Sequence, residues 1–409
     1  MAVLVQKYGG SSVATPEKIV RVARKIKARL NPGVKLAVVV SAMGDTTDYL
    51  IDLAHQVGYR ERGSEMDLLL STGELVSATL LTMALQKAGV PAQAFTGKEA
   101  GIITDAVHTK ARIRRLQTRR IRDVLDRGIV AVVTGFQGVA ENDRITTLGR
   151  GGSDLSAVAL ALGLKAEICE IYTDVPGIFT ADPRLEPNSR LIPVISYEEA
   201  LEMASAGAAV MQARAVEFGQ KYHVPIRVKS TFEEGEGTMI TRIRKQKKRK
   251  SLEEPLVSAV TGTDKEAKVS LFGVPDRPGI AARIFSAIAS RNINVDMIVQ
   301  NVSKEGRTDL SFTIPDEDLK TAREIVRKIT PGVGAEGSAF DSDIAKVSII
   351  GIGMQSHPGV AAKMFTALSG KGINIEMIST SEIKISCIIR KKDLIAAVRT
   401  LHSAFNLGK

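Results

Sequence analysis

The feature that most constrains the fold is an internal repeat in the last third of the chain. The segment AKVSLFGVPDRPGIAARIFSAIASRNINVDMI at 267–298 matches AKVSIIGIGMQSHPGVAAKMFTALSGKGINIEMI at 345–378, with two extra residues before the second Pro-Gly. Each copy predicts a strand, a Pro-Gly loop, an amphipathic helix and a strand, then a further strand and a last helix. Two βαββα units are therefore expected, each completed by one more strand. That strand is expected near 335–341 for the first copy, and 256–262 is expected to cross over and complete the second.

The chain before the repeat has a different pattern. Continuous apolar runs such as LAVVVSA (36–42) and IVAVVTGF (129–136) alternate with segments of helical period. Strands that are apolar on both faces belong to a sheet with helices on each side. We therefore expect a three-layer α/β/α domain over 1–241, a linker at 242–255, and smaller domains at 256–342 and 343–409.

The linker is the basic run RIRKQKKRK at 242–250. It holds seven of the positive charges behind the formal net charge of +11, which leaves +4 for the rest of the chain. Such a run is typical of a solvated linker, with a polyanion contact as the alternative, and no aromatic stacking pattern accompanies it. We predict no nucleic-acid partner.

Composition indicates an ordinary globular protein. Hydrophobic residues make up 44% and charged residues 25%, and no apolar run is expected to cross a bilayer. The N-terminal residues lack the features of a secretory signal, so we expect residence in the cytoplasm and no membrane partner. The two cysteines, Cys169 and Cys387, lie in apolar runs and are expected to be buried thiols. The five histidines show no metal-ligand spacing, so no protein-bound metal site is predicted.

Three segments carry the pattern of a phosphate-transferring site. The first, VLVQKYGGSS at 3–12, predicts a strand, a glycine turn and a helix with Thr15 as N-cap and Pro16 in its first turn. Glycines let backbone N–H groups approach a phosphate, and Lys7 can neutralise a phosphoryl group in transit. The alternative is that the glycines serve only the steric needs of the turn.

The other two segments are also turns or loops next to predicted strands. TTLGRGGSDLSAVALA at 146–161 opens a small-residue helix and carries Arg150, which can grip a carboxylate, and Asp154, which can hold a catalytic lysine. EIYTDVPGIFTADPRLEP at 170–187 leads from a strand into a long loop, where ligands bind in open α/β sheets. A packed turn and a simple connection are the alternatives.

Together these segments resemble the aspartate kinases of the amino-acid kinase family. KYGGSS, SAMGDTTD, STGELVS, GRGGSD and YTDVPGIFTADPR stand in that family's order, and the repeat closely resembles paired ACT domains, which are ferredoxin-like βαββαβ modules. The resemblance implies an ATP-dependent kinase that uses Mg²⁺ and phosphorylates the side-chain carboxylate of L-aspartate. Other kinases of that family, acting on glutamate, acetylglutamate or a nucleotide, and a non-catalytic amino-acid sensor are the alternatives.

The resemblance also implies roles for individual residues. Lys7 and Asp154 would support phosphoryl transfer. The nucleotide would contact Lys7, Tyr8, Gly9, Gly10, Ser11, Thr173, Asp174, Phe179 and Arg184. Aspartate would contact Ser41, Thr47, Glu74, Arg150, Gly151, Gly152 and Ser153, with Glu74 receiving its ammonium and Arg150 a carboxylate. One departure is Ala209, where family members commonly have a lysine, so that nucleotide contact is in doubt.

The ACT-like units imply control by small molecules. Helices that begin after Pro-Gly present free N–H groups to a ligand carboxylate. The resemblance implies inhibition by lysine and threonine, a homo-oligomer formed by ACT pairing, and in some cases a shorter ACT-only subunit. The expected effector residues are Asp276, Gly279, Ala281, Asn294 and Gln300 in the first copy and Gly359, Asn374, Ile375, Thr380 and Ser381 in the second. The alternative is two packed modules that bind nothing.

Overall fold

The chain forms two compact units. The computed structural model describes residues 2–31, 33–61, 63–207, 210–242, 256–301, 305–352, 354, 357 and 359–408. Within these, unit 1 comprises 2–178, 191–204 and 210–242, and unit 2 comprises 179–190, 205–207 and the described residues from 256 onward. Ala209 and nearly all of the predicted linker lie outside the described residues.

Unit 1 alternates strands and helices, as its apolar runs predict. Its strands are β1 (Ala2–Tyr8), β2 (Val34–Val40), β3 (Ala92–Phe95), β4 (Ile102–Thr104), β5 (Ile113–Leu116), β6 (Val130–Thr134), β7 (Gln137–Ala140), β8 (Ile145–Thr147), β9 (Ile168–Thr173), β10 (Val194–Ile195), β11 (Ile226–Ser230) and β12 (Thr238–Ile240). Its helices are α1 (Pro16–Arg29), α2 (Thr46–Gln56), α3 (Ser64–Lys87), α4 (Arg119–Asp126), α5 (Gly152–Leu164), α6 (Tyr197–Ser205) and α7 (Ala213–Tyr222). The predicted cap of α1 is confirmed, because the Thr15 side chain accepts a hydrogen bond from the Lys18 N–H.

An eight-stranded sheet forms the middle layer of unit 1. Its order is β10-β12-β11-β9-β1-β2-β6-β3, and every pairing except that of β11 with β12 is parallel. Helices α1 and α3 pack on the face that includes Tyr8 and Val38. Lys7 points to the opposite face, where it contacts α5. This is the expected three-layer arrangement, and a smaller sheet, β5-β4-β7-β8, accompanies it.

Helix α3 corrects one expectation from composition. In the described part of the chain it has the length and hydropathy of a membrane-spanning helix, although no apolar run was expected to reach that length. Half of its apolar window is buried inside the fold, where α3 packs on α1, β3 and β6. Its buried face also carries the charged side chains of Asp67 and Glu74.

Unit 2 contains both copies of the repeat. Its strands are β13 (Leu256–Thr263), β14 (Glu266–Pro275), β15 (Ile298–Gln300), β16 (Arg307–Pro315), β17 (Gly337–Asp341), β18 (Ile344–Ile352), β19 (Met377–Thr380) and β20 (Lys384–Arg390). Its helices are α8 (Ile280–Ala289), α9 (Leu319–Ile329), α10 (Val360–Ser369) and α11 (Leu394–Ala404). Each copy therefore has the predicted order of strand, helix, two strands and helix.

The two copies form separate four-stranded antiparallel sheets. The first has the order β15-β16-β14-β17 and packs against α8 and α9, and the second has the order β13-β18-β20-β19 and packs against α10 and α11. Strand β13 precedes the first copy in the chain but pairs with β18 of the second. Strand β17 lies beside β14 of the first.

A short segment from the first half of the chain is part of unit 2. Ala181, in Phe179–Arg190, lies in the apolar core of the second ACT-like sheet. Thr180 is hydrogen-bonded to His402 at 2.9 Å, and its carbonyl accepts a hydrogen bond from the Val260 N–H. The division between units therefore differs from the single expected boundary at 242–255.

Candidate functional site

Lys7 lies under the first glycine turn, at the carboxyl end of β1. The side chain is largely buried, and its ammonium is 2.6 Å from Asp154 Oδ1. A Cβ atom on Gly9 would be only 3.4 Å from the Lys7 ammonium, so the charge is directly against the backbone of the turn. Backbone N–H groups and a fixed ammonium at one strand end are suited to phosphate oxygens.

Gly10 is required for a close approach of two loops. A Cβ atom at this position would be 2.9 Å from the Ala42 carbonyl oxygen and 3.1 Å from that of Gly44. The Gly44 N–H also donates to the Gly10 carbonyl. The turn after β1 is therefore held against the loop after β2, which contains Ser41.

The side chain of Tyr8 is not available to a nucleotide, so the predicted contact would have to use the backbone of Tyr8. It is fully buried, stacks on Tyr172 with ring centroids 4.8 Å apart, and donates its hydroxyl hydrogen to Gln6. Burial raises the pKa of its hydroxyl well above the usual value. The physical reason is the strand period of two, which directs Tyr8 and Lys7 to opposite faces of the sheet.

The second glycine turn positions Asp154 in the first turn of α5. Gly149 and Gly151 have φ values of 84° and 72°, a backbone conformation that residues other than glycine rarely adopt. Asp154 contacts Lys7 and also accepts a hydrogen bond from the Gln212 N–H at 3.2 Å. The Gln212 side chain donates to the Arg150 carbonyl at 2.6 Å, so one residue holds both ends of the turn.

Arg150 is the exposed member of this site. Its side chain is 87% exposed and is 3.3 Å from Asp48, near the start of α2. The guanidinium is therefore free to move onto a ligand carboxylate. Sequence reasoning missed both Asp48 and Gln212, because nothing in their local pattern shows that they lie next to a turn 60 to 100 residues away.

Glu74 is a buried carboxylate with one unused oxygen. Oε1 accepts the Ala42 N–H at 3.1 Å, whereas Oε2 is buried without a hydrogen-bond partner among the described residues. Burial raises the pKa of the Glu74 carboxyl to about 7. A ligand ammonium would supply the missing hydrogen bond and the opposite charge.

The remaining predicted aspartate contacts surround these groups. Ser41 follows β2, and its carbonyl accepts a hydrogen bond from Ser77. Thr47 is half-buried, next to Asp48. Ser153 is buried, and a Cβ atom on Gly135 would be 2.6 Å from it. The first motif and Ser41 therefore lie at the carboxyl ends of the neighbouring strands β1 and β2, where open α/β sheets bind ligands. The second motif follows β8 of the smaller sheet, and its Ser153 lies beside Gly135, which follows β6.

The residues of the third motif are divided between the units. Thr173 ends β9 and donates to the exposed carboxylate of Asp174. Phe179 and Arg184 belong to the segment in unit 2, where Arg184 is exposed and hydrogen-bonded to Asp182. Their contact with a nucleotide stays a prediction.

The predicted effector residues lie in corresponding regions of the two copies. Gly279 and Gly359 precede α8 and α10 with φ values of 93° and 120°, and a Cβ atom on either would meet open space. Asp276 and Ala281 lie near the start of α8, Asn294, Asn374 and Ile375 lie in the segments that lead from α8 and α10 into the edge strands β15 and β19, and Gln300, Thr380 and Ser381 lie on or directly after those strands. All of these are exposed except two half-buried ones. The exposed set is Asp276, Ala281, Asn294, Gln300, Asn374 and Thr380, and the half-buried pair is Ile375 and Ser381.

Both cysteines are buried, as predicted. Cys169 and Cys387 are fully buried, and burial raises the pKa of each thiol. Within the described ranges no group of three or more histidine, cysteine, aspartate or glutamate side chains is placed to hold a metal ion.

Comparison with known proteins extends the match to the whole chain. Residues 2–230 match the model of the amino acid kinase family, and residues 269–330 and 347–405 each match an ACT domain. The aspartokinase of Pseudomonas aeruginosa is 51% identical over 407 residues, covering 100% of this chain and 98% of that protein. The aspartokinase of Corynebacterium glutamicum is 46% identical over 411 residues, covering 100% and 97%.

Solved structures agree with this assignment. Aspartokinase III of E. coli in complex with aspartate and ADP has a TM-score of 0.82 at 25% identity, covering 98% of this chain and 99% of that one. The family inferred from the motifs is thus confirmed. This chain belongs to the aspartate kinases, phosphotransferases of the amino acid kinase family, and carries two ACT domains after its kinase domain.

Proposed function

We propose that this chain transfers the γ-phosphoryl group of ATP to the side-chain carboxylate of L-aspartate, giving ADP and 4-phospho-L-aspartate. The observation that carries this proposal is the buried pair of Lys7 and Asp154 beneath the Gly9 turn. A carboxylate attacks without a general base, so the reaction needs alignment and charge neutralisation. The site offers these and requires no covalent enzyme intermediate.

Lys7 is assigned the charge that develops on the transferred group. Asp154 fixes the position of the ammonium, and the amides of Gly10 and Ser11 receive phosphate oxygens. The predicted role of the Gly9 amide is corrected, because its N–H donates to the Tyr172 carbonyl at 3.1 Å. Thr173, Asp174, Phe179 and Arg184 are proposed to face the rest of the nucleotide. The supporting geometry is the 2.6 Å contact of Lys7 with Asp154 and the close approach of the turn to the Lys7 ammonium.

The aspartate is proposed to bind between α3 and the second glycine turn. Glu74 has an unpartnered buried oxygen for the substrate ammonium, and Arg150 has an exposed guanidinium for a carboxylate. Ser41, Thr47, Gly151, Gly152 and Ser153 would complete this end of the site. In the complex, Arg150 would pair with a carboxylate of the substrate and Glu74 with its ammonium, and these two opposite charges would fix the orientation of the substrate.

Magnesium is proposed to enter with ATP. The described residues provide no cluster of ligands for a dedicated site, which suits an ion that prefers phosphate oxygens and water. When bound, the ion neutralises charge on the phosphates. This chain's own contribution is the alignment supplied by Lys7 and the turn amides.

Control is proposed to act through the ACT domains. Two open helix starts after Pro-Gly support binding of amino-acid carboxylates. Aspartokinase III of E. coli, 25% identical, was solved in complex with lysine and aspartate. We therefore propose feedback inhibition by lysine and threonine, consistent with a first step in lysine, threonine and methionine biosynthesis in the cytoplasm. Pairing of ACT domains between chains would form a homo-oligomer, with or without a shorter ACT-only subunit.

Trapping of the acyl phosphate tests this function. Hydroxylamine converts 4-phosphoaspartate to a hydroxamate, so the wild-type chain with ATP and Mg²⁺ should give hydroxamate with aspartate and much less with glutamate. Adding lysine and threonine singly and together tests the proposed feedback in the same assay. Lack of hydroxamate with aspartate would refute the proposed reaction, and full activity with both effectors present would refute only the control.

A further inference from the structure

Asp67 is a buried carboxylate that no predicted role uses. It lies in the first turn of α3, two helical turns before Glu74 on the same buried face, and is 0% exposed. A charged group without solvent persists in a fold only when several donors satisfy it. Its partners therefore show what the charge does.

Three residues from two distant loops donate to this one carboxylate. His108 Nδ1 is 2.7 Å from Oδ2, the Thr109 N–H is 3.0 Å from Oδ1, and Thr147 Oγ1 is 2.5 Å from Oδ1. An ionised carboxylate only accepts hydrogen bonds, so the contact with ionised Asp67 requires the His108 tautomer that has its hydrogen on Nδ1. The loop before β5 and the end of β8 are thus joined to α3 through Asp67.

Thr109 is held in a conformation that it would not adopt alone. Its φ is 63°, in the left-handed region, which is strongly disfavoured for a β-branched residue. Strained residues of this kind persist where their surroundings impose them, and they cluster at functional sites. Here the imposing group is the Asp67 carboxylate, which binds the Thr109 N–H with both oxygens.

The strained residue lies against the turn that carries Arg150. A Cβ atom on Gly149 would be 3.2 Å from the Thr109 carbonyl oxygen. The Ala111 N–H donates to the Thr147 carbonyl, and Arg214 joins the carbonyls of Ala111 and Leu148. The path of the chain into Gly149 and Arg150 is therefore set by contacts of Thr109, Thr147 and Arg214, and Asp67 holds the first two of these residues.

We propose that Asp67 is a positioning residue for aspartate binding: it fixes Thr109 and Thr147, and these hold the turn that presents Arg150. The inference rests on the proposed role of Arg150 in binding the substrate. Asp67 itself touches neither substrate. Its loss should therefore weaken aspartate binding and leave the nucleotide end of the site, at Lys7, unchanged.

Kinetics of Asp67→Asn test this assignment. The side-chain NH₂ of the new asparagine is a donor and would face groups that now donate to the Asp67 carboxylate, so at least one of these hydrogen bonds is lost. We expect the KM for aspartate to rise about tenfold or more, with kcat changed less than about threefold and the KM for ATP unchanged. Asp143→Asn is the matched control, because Asp143 lies in the turn before β8, is exposed, and pairs only with Lys98 among the described residues. An unchanged KM for aspartate in Asp67→Asn would overturn the proposal.

A second substitution separates positioning from simple loss of structure. Glycine adopts positive φ without strain, so Thr109→Gly in the Asp67→Asn background should recover a large part of the lost aspartate affinity. If the KM for aspartate does not recover in the double variant, Asp67 does not act through Thr109. If Asp67→Asn does not fold, Thr147→Val should still raise the KM for aspartate by roughly threefold, and no change would overturn the proposal. Hydroxamate formation by the wild-type chain keeps these results distinct from failure of the proposed reaction.

Discussion

Two of the buried lysines, one from each unit, differ in position and in the role that we assign to their charge. Lys7 in unit 1 and Lys346 in unit 2 both lie on strands, both are largely buried, and both are paired with carboxylates. Lys7 is at the end of β1 under an open glycine turn, with Asp154 as its one ion-pair partner among the described residues. Lys346 is within β18 and contacts two carboxylates, Glu266 and Asp296, the second at 2.5 Å.

The second lysine joins the two ACT domains. Burial would lower the pKa of Lys346, but Glu266 and Asp296 outweigh it and the pKa is raised. Its counterpart in the first copy, Lys268, pairs with Glu376 of the second copy. Each copy's lysine is therefore neutralised by an acid of the other. Lys7, at a strand end next to a turn, is therefore placed to meet a ligand, whereas Lys346, between two sheets, joins them.

Removing the charge of Lys346 should have the largest effect on stability. Lys346→Met leaves Glu266 and Asp296 without a cation among the described residues, and breaking a buried pair in this way costs about 3 to 5 kcal/mol. We expect a marked fall in the unfolding temperature of unit 2 in calorimetry of the full chain.

Lys268→Met is the matched control offered by the repeat. Glu376 would still contact Arg390 at 2.7 Å, so the loss should be only about 1 kcal/mol. Equal losses of stability in Lys346→Met and Lys268→Met would contradict this expected difference between the two lysines.

Removing the charge of Lys7 should act mainly on turnover. Lys7→Ala, and likewise Asp154→Ala, is expected to lower kcat at least about a hundredfold, because each removes control of charge in the transition state. Steady-state kinetics with ATP and aspartate check this, at a temperature where calorimetry shows the variant to be folded, because breaking this largely buried pair also lowers stability. Near-normal turnover in either variant would remove that residue from the catalytic set. For Lys7 it would also show that its charge, like that of Lys346, serves only the structure.

Much of this contrast could be foreseen from the sequence, but not all of it. Apolar runs, the Thr15 cap and the glycine turns are local patterns, and they predicted the strands, the helix start and the place of Lys7. Lys268 and Lys346 lie in the same local sequence, Ala-Lys-Val-Ser. No local pattern therefore shows that each lysine pairs with an acid of the other copy. Asp67 and Thr147 are 80 residues apart, and only the fold brings them together.

A smaller effect is expected at the exposed end of the site. The Arg150 side chain is 87% exposed, so solvent weakens its attraction to a carboxylate. Arg150→Ala should therefore raise the KM for aspartate about tenfold, with a smaller change in kcat. Asp48→Ala removes its present partner and is expected not to weaken aspartate binding. An unaltered KM in Arg150→Ala would refute its role in gripping the substrate.

Glu74 is a buried charge of a third kind, because the described residues offer it no cation. Its folded pKa of about 7 is above the ordinary value of 4.5, so the folded chain binds an extra proton between these values. The stability contributed by the protonated carboxyl is complete below pH 4.5 and is lost as the pH rises through 7. Substrate ammonium binds the ionised form and should restore that stability.

The KM for aspartate should therefore fall as the pH rises from 6 to 8, by up to about tenfold, in proportion to the ionised fraction of Glu74. The rise in unfolding temperature caused by aspartate should be larger at pH 8 than at pH 6. Glu74→Gln keeps the shape and removes the titration, so it should bind aspartate weakly at both pH values. If wild type and Glu74→Gln share one pH profile, the substrate ammonium binds elsewhere, and Glu74 is a buried acid without a ligand.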